Sequence, residues 1–77
     1  MIPNYSIIDA FINSNKERDD VIGDLCKDAM ADINFPVGDY RGQLEYFRQL
    51  GMAYPVLQDA VMMFYNELQN YGIAPIN

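Results

Sequence analysis

Ile22, Leu25, Cys26, Ala29, Met30 and Ile33 recur at intervals of three and four residues, the spacing that lines one face of an α-helix. The same rhythm returns in the other apolar segments, and none alternates apolar with polar residues at useful length. A chain of 77 residues with this pattern can bury its apolar stripes only by folding short helices against one another. The expected fold class is therefore all-α, a compact bundle of four to five helices. One domain covers residues 1–77, with the helical core over residues 5–71.

Start and stop signals divide the rhythm. Tyr5 to Asn13 places Ile8, Phe11 and Ile12 on one face, with Asn4 or Ser6 as cap and Asp9 near the positive end of the helix dipole. The polar run Asn13–Arg18 reads as a connector. A second helix opens on Asp19 or Asp20 and is expected to end at Phe35-Pro36, because the residue before proline is pushed out of the α region. Gly23 interrupts its stripe at a cost of about 1 kcal/mol relative to alanine, which close packing against a neighbouring backbone would explain. Asp39 caps a third helix ending at Leu50, with Tyr40, Leu44 and Phe47 inward, Tyr46 either inward or at the edge, and Gly51 as the stop. The fourth begins near Tyr54-Pro55, turns Leu57, Val61, Phe64, Tyr65, Leu68 and Tyr71 inward, and stops at Gly72, leaving 72–77 as a tail.

Eleven acidic residues against five basic ones give a net charge of -6, while 51% apolar residues argue for folding rather than disorder. That balance excludes a nucleic-acid binder held by phosphate neutralisation, so no direct nucleic-acid contact is expected. The longest apolar runs, such as Val61-Met62-Met63-Phe64-Tyr65, fall far short of the roughly 20 residues that cross a bilayer. No membrane contact is expected either. Cys26 is the only cysteine and histidine is absent, which leaves no internal disulfide and no Cys/His zinc site. Neither a metal nor a cofactor is expected. Met1-Ile2-Pro3-Asn4-Tyr5 shows no basic segment followed by an apolar one, and a reducing, cytoplasmic setting is the simplest reading.

Asp20, Asp24, Asp28 and Asp32 fall at strict four-residue intervals on the second helix, a stripe about 18 Å long. Like charges at this spacing cost an isolated helix roughly 0.2–0.5 kcal/mol per pair, relieved in part by Lys27. The stripe reads either as a solvated outer face or as a contact surface for a basic protein. As an imitation of nucleic acid it is dilute, with one charge per about 6 Å against one per about 1.7 Å in duplex DNA. Steering toward a basic protein needs less charge density. Aspartates sharing wet surroundings are not held at different proton affinities, so the chain is read as no enzyme.

The aromatic side chains mostly face inward as core. Tyr5, Tyr46 and Tyr54 are the candidates for exposed rings, and exposed tyrosine is a favoured interface anchor. Met52, Met62 and Met63 read as core filling or as a soft partner-binding patch, since adjacent Met62 and Met63 cannot share one buried face. Cys26 reads as a structural thiol, since acidic neighbours disfavour a thiolate. Arg41 and Arg48, with Gln43, Glu45 and Gln49, read as a solvated face that can also reach acids of the second helix, within the molecule or across a dimer.

The run Asp20-x-Ile22-Gly23-x-Leu25, then Asp32-Ile33-Asn34-Phe35-Pro36, Asp39-Tyr40 and Tyr46, resembles the YozE-like proteins over roughly residues 5–71. Their pattern is an acid-capped helix ending in D-x-x-F-P, a D-Y helix start and a last helix carrying F-x-x-x-W-x-x-Y. Here the last element reads Phe64-x-x-x-Leu68-x-x-Tyr71, with leucine at the tryptophan position. The resemblance implies a fold similar to the sterile alpha motif (SAM), in a family of small bacterial proteins without an assigned activity.

The functional expectation is a small acidic interaction module that binds a protein partner through acidic and aromatic helix surface. Asp20, Asp24, Asp28, Asp32, Tyr46 and Tyr54 are its candidate contact residues. A phage- or plasmid-borne decoy that blocks a nucleic-acid-binding protein is a second expectation. A self-associating protein, forming a homodimer, is a third.

Overall fold

A short polar side chain opens each of the first three helices. The computed structural model describes residues 5–73, with side chains as far as Tyr71. Within them α1 spans Ile7–Asn15, α2 Val21–Ala31, α3 Tyr40–Ala53 and α4 Gln58–Ile73, and a 3-10 turn at Pro55–Leu57 leads into α4. No strand occurs among the described residues. The chain is an all-α bundle.

Ser6 caps α1 through a reciprocal box. Its Oγ accepts the Ile8 and Asp9 amides, each at 3.1 Å, and Asp9 Oδ2 accepts the Ser6 amide at 2.9 Å. Asp20 caps α2 by accepting the Gly23 amide at 3.0 Å, and Asp39 caps α3 by accepting the Gly42 amide at 3.0 Å. Asn4, the alternative cap, lies outside the described residues, as do residues 74–77 of the expected tail.

Helix ends depart from the sequence reading at four places. The first helix runs two residues further, to Asn15, whose Nδ2 donates to the Phe11 carbonyl at 2.8 Å. The second stops at Ala31, well before Pro36. Asp32 leaves the helical backbone with ψ 115° and its Oδ1 accepts the Asn34 amide at 2.9 Å, a local turn that competes with another helical residue. Ile33 therefore leaves the expected stripe and is exposed, at 94%, and Met30, still within α2, is exposed rather than buried. Neither Gly51 nor Gly72 is a stop, for both lie inside helices. Gly51 is instead a packing position, buried with Val61 against it.

The helices α1 and α2 pack on each other, α3 packs on α4, and α4 touches all the rest. The backbones of α2 and α3 do not approach each other among the described residues, and α3 meets the end of α2 through the Tyr46 hydroxyl on Asp32. Between the layers runs a chain of rings. Tyr71 meets Phe11 edge-on, Phe11 meets Phe64 edge-on, Phe64 stacks on Phe47 with centroids 4.3 Å apart, and Phe47 meets Phe35 and Tyr46. Such pairs contribute about 0.5–1.5 kcal/mol each beyond the area they bury. Gly23 belongs to this packing as well. A β-carbon there would overlap the Arg18 carbonyl, so the close backbone approach expected from sequence is present.

Polar atoms close the other side of the core. Gln43 was expected on a solvated face and is instead completely buried. Its Oε1 accepts from the Ser6 hydroxyl and its Nε2 donates to Asp9 Oδ1 at 2.7 Å, tying α3 to the first turn of α1. Asp9 Oδ2 also accepts the Gly38 amide at 2.9 Å; Gly38 has φ 81°, a left-handed turn conformation that glycine adopts without strain. No helix among the described residues is long and apolar enough to cross a membrane.

Candidate partner-binding surface

The four spaced aspartates do not share one environment. Asp20 is spent at the start of α2. Its Oδ2 accepts from Arg18 Nη2 at 2.6 Å, and the Gly23 amide and Arg18 hold its carboxyl below the usual range. Arg18 in turn reaches Glu67 on α4, and both partners raise its affinity for the proton. Asp32 is spent at the other end. The Asn34 amide and the Tyr46 hydroxyl, which donates to Oδ2 at 2.7 Å, lower its carboxyl. Between them Asp24 and Asp28 are exposed and take no side-chain partner among the described residues, Lys27 included. The expected stripe thus reduces to two free carboxylates flanked by two structural ones.

Tyr46 is not the exposed ring expected. It is half-buried, packed edge-on against Phe35 and Phe47, and bound through its hydroxyl to Asp32. Burial first, then the Asp32 hydrogen bond, push its phenol up to about 12, and the charge of Asp28 acts in the same direction. Tyr54 is exposed, at the α3 terminus beside the 3-10 turn, and that turn makes no contact with α2 among the described residues. It therefore does not join the aspartates. Tyr40, expected inward, is exposed.

What α2 does adjoin is an apolar corner. Because the helix ends at Asp32, the turn that follows carries Ile33 and Val37 into solvent, Val37 at 72%, and Met30 and Tyr5 are exposed beside them. An open cleft of about 270 Å³ lies here between α1, the end of α2 and the turn. Buried Ile12, Ala29 and Phe35 line it together with the carboxylates Asp9 and Asp32. Ile33 was placed in the core by its spacing alone. The signal for its exposure was the Asp32-x-Asn34 pair, which favours a turn closed by the aspartate side chain.

A larger groove, about 670 Å³, lies between α1, α3 and α4. Leu44, Tyr65 and Leu68 line it, with Arg41 and Arg48 beside Glu45. Arg48 does not reach the acids of α2. It grips Glu45 with two hydrogen bonds of 2.9 and 2.6 Å, which pull the Glu45 carboxyl down to about 2. Met52, Met62 and Met63 are all exposed, so none fills the core. Cys26 is buried as expected, and burial pushes its thiol up to about 11, away from the thiolate that redox or nucleophilic chemistry needs.

Comparison with protein-family models, with curated proteins and with solved structures finds no match to this chain.

Proposed function

We propose that this chain is a protein-interaction module that receives a basic protein on the α2 side of the bundle. One observation carries the reading: α2 bears the free carboxylates Asp24 and Asp28, and the cleft at its C-terminal end is lined by exposed Tyr5, Met30 and Val37. Interfaces are built this way, with apolar and aromatic anchors beside charges that steer the encounter. A net charge of -6 adds long-range attraction for a basic partner and none for nucleic acid. Kinship with the YozE-like proteins and a SAM-like fold belong to the same reading. Its support is the way the shared residues Asp32, Phe35 and Tyr46 interlock at that corner. The setting in this reading is the cytoplasm, and it assigns the chain no catalysis.

Affinity capture from lysate of the native host tests it, comparing the wild-type chain with the doubly substituted Asp24→Asn, Asp28→Asn. Both positions are exposed, so the variant is expected to fold. A protein held by the wild type and lost by the variant supports the reading. Equal capture by both reduces Asp24 and Asp28 to a solvated face.

A second reading, self-association, is favoured by exposed Met52, Tyr54, Val56, Met62 and Met63, which cluster in sequence across the α3–α4 junction. Sedimentation at micromolar concentration decides it, since a monomer there excludes a stable dimer.

A further inference from the structure

Among the described residues, the cleft between α1 and the end of α2 holds two carboxylates and no lysine or arginine. Asp9 accepts three hydrogen bonds, from the amides of Ser6 and Gly38 and from the Gln43 side chain. Asp32 accepts two, from the Asn34 amide and the Tyr46 hydroxyl. Every one of these donors is neutral. Hydrogen bonds from neutral groups orient a carboxylate without cancelling its charge, and none of the described residues lining the cleft is a lysine or arginine. Apart from Asn13 and the phenol of Tyr5 the remaining lining is apolar, with Ile12, Ala29 and Phe35 buried behind it.

A cleft with an apolar floor and, at its walls, carboxylates that no described lysine or arginine pairs with matches one kind of side chain, an alkyl stem ending in a cation. Its volume of about 270 Å³ lies just below the roughly 300–1,000 Å³ of pockets that hold whole small-molecule ligands. That size suits an inserted side chain better than a cofactor. The exposed residues at its mouth, Met30 and Val37 among them, would cover apolar neighbours of the inserted residue.

We infer that this cleft is an anchor pocket for a single lysine or arginine side chain of a protein partner, flanked in that partner by apolar residues. The inference rests on the reading of the chain as a module for a basic partner and names the contact that gives it specificity. The stem lies along Ile12, Ala29 and Phe35, and the cationic head sits against Asp32 with Asp9 behind it.

Two synthetic peptides test it on the full, isotope-labelled chain by amide chemical-shift titration. One is acetyl-Leu-Ala-Lys-Ala-Leu-amide, and the other carries norleucine in place of lysine. The lysine peptide is expected to shift the Ile12, Ala29, Asp32 and Phe35 amides along saturable curves. Loss of a charge-assisted contact should weaken the norleucine peptide by about ten-fold or more. Asp32→Asn should weaken the lysine peptide comparably. Val37→Lys supplies the chain's own cation at an exposed rim position, where folding is not at stake, and should do the same. Equal affinity for both peptides, shifts centred on Asp24 and Asp28, or no saturable shift would each overturn the pocket. Those results would leave the Asp24/Asp28 dependence of lysate capture untouched, so the pocket and the broader reading fail separately.

Discussion

Gln43 Nε2 donates to Asp9 Oδ1 at 2.7 Å, the contact through which a fully buried amide on α3 meets the first turn of α1. Replacing it with leucine keeps much of the volume but strips a buried partner from both Asp9 and Ser6. Leaving buried polar groups unsatisfied costs about 1–3 kcal/mol. Gln43→Leu is expected to destabilise the chain by that amount in urea unfolding, and Gln43→Glu by more at neutral pH, because it sets a second carboxylate against Asp9. A Gln43→Leu variant as stable as the wild type would mean that the contact contributes nothing.

Gly23→Ala gives a test of opposite sign to helix propensity. Alanine in a helix interior is favoured over glycine by about 1 kcal/mol. Here its β-carbon would overlap the Arg18 carbonyl, and forced overlap in a packed site costs typically about 1–3 kcal/mol. The variant is expected to melt at a lower temperature than the wild type. A higher melting temperature would show that the Arg18 turn yields freely.

Alkaline titration of the tyrosines, followed by phenolate absorbance, should contain a late component near pH 12 from Tyr46. Tyr46→Phe should remove it, and Asp32→Asn should move it down only in part, because burial is the larger cause. Since the folded value lies above the ordinary tyrosine value of about 10, this group's contribution to stability is whole below that pH and is lost as pH rises through 12. Asp32 runs the other way. Its folded value is depressed, so its contribution is whole above the ordinary carboxylate value of about 3.9 and is lost as pH falls through the lowered one.

Cys26 is expected to resist thiol reagents at neutral pH in the folded chain and to react at once in denaturant. The labelling rate should follow the unfolding equilibrium, since the thiol is buried and its proton is held to about pH 11. Fast labelling of the native chain would place the thiol in an opening that the packed core does not show.

The helical core was legible because Ile8, Phe11, Ile12, Ile22, Leu25, Phe47 and Phe64 obey a local period that burial then rewards. The capping residues Ser6, Asp20 and Asp39 were legible for the same reason, since a cap acts within three residues of itself. Ile33 departs from the core because the Asp32 turn ends α2 early, and spacing alone carries no record of where a helix stops; Met30 is exposed although it lies inside α2. Gln43 was misread because its partners, Ser6 and Asp9, lie far away in sequence; a polar residue four before Phe47 on the inner face was the only local sign. The regular aspartate stripe was the most visible candidate feature and the least uniform one. Asp20 and Asp32 accept nearby amides and, for Asp20, Arg18, which are local commitments; the Tyr46 hydroxyl on Asp32 depends on segments 14 residues apart meeting in space.

The central claim, a basic protein received on the α2 side, is tested most directly by mapping a captured partner onto the labelled chain through amide shift changes. The account predicts changes along Val21–Ala31 and across the turn from Asp32 to Val37, weakening as salt is raised. Changes confined to the α3–α4 groove around Arg41, Leu44 and Tyr65, and indifferent to salt, would contradict it.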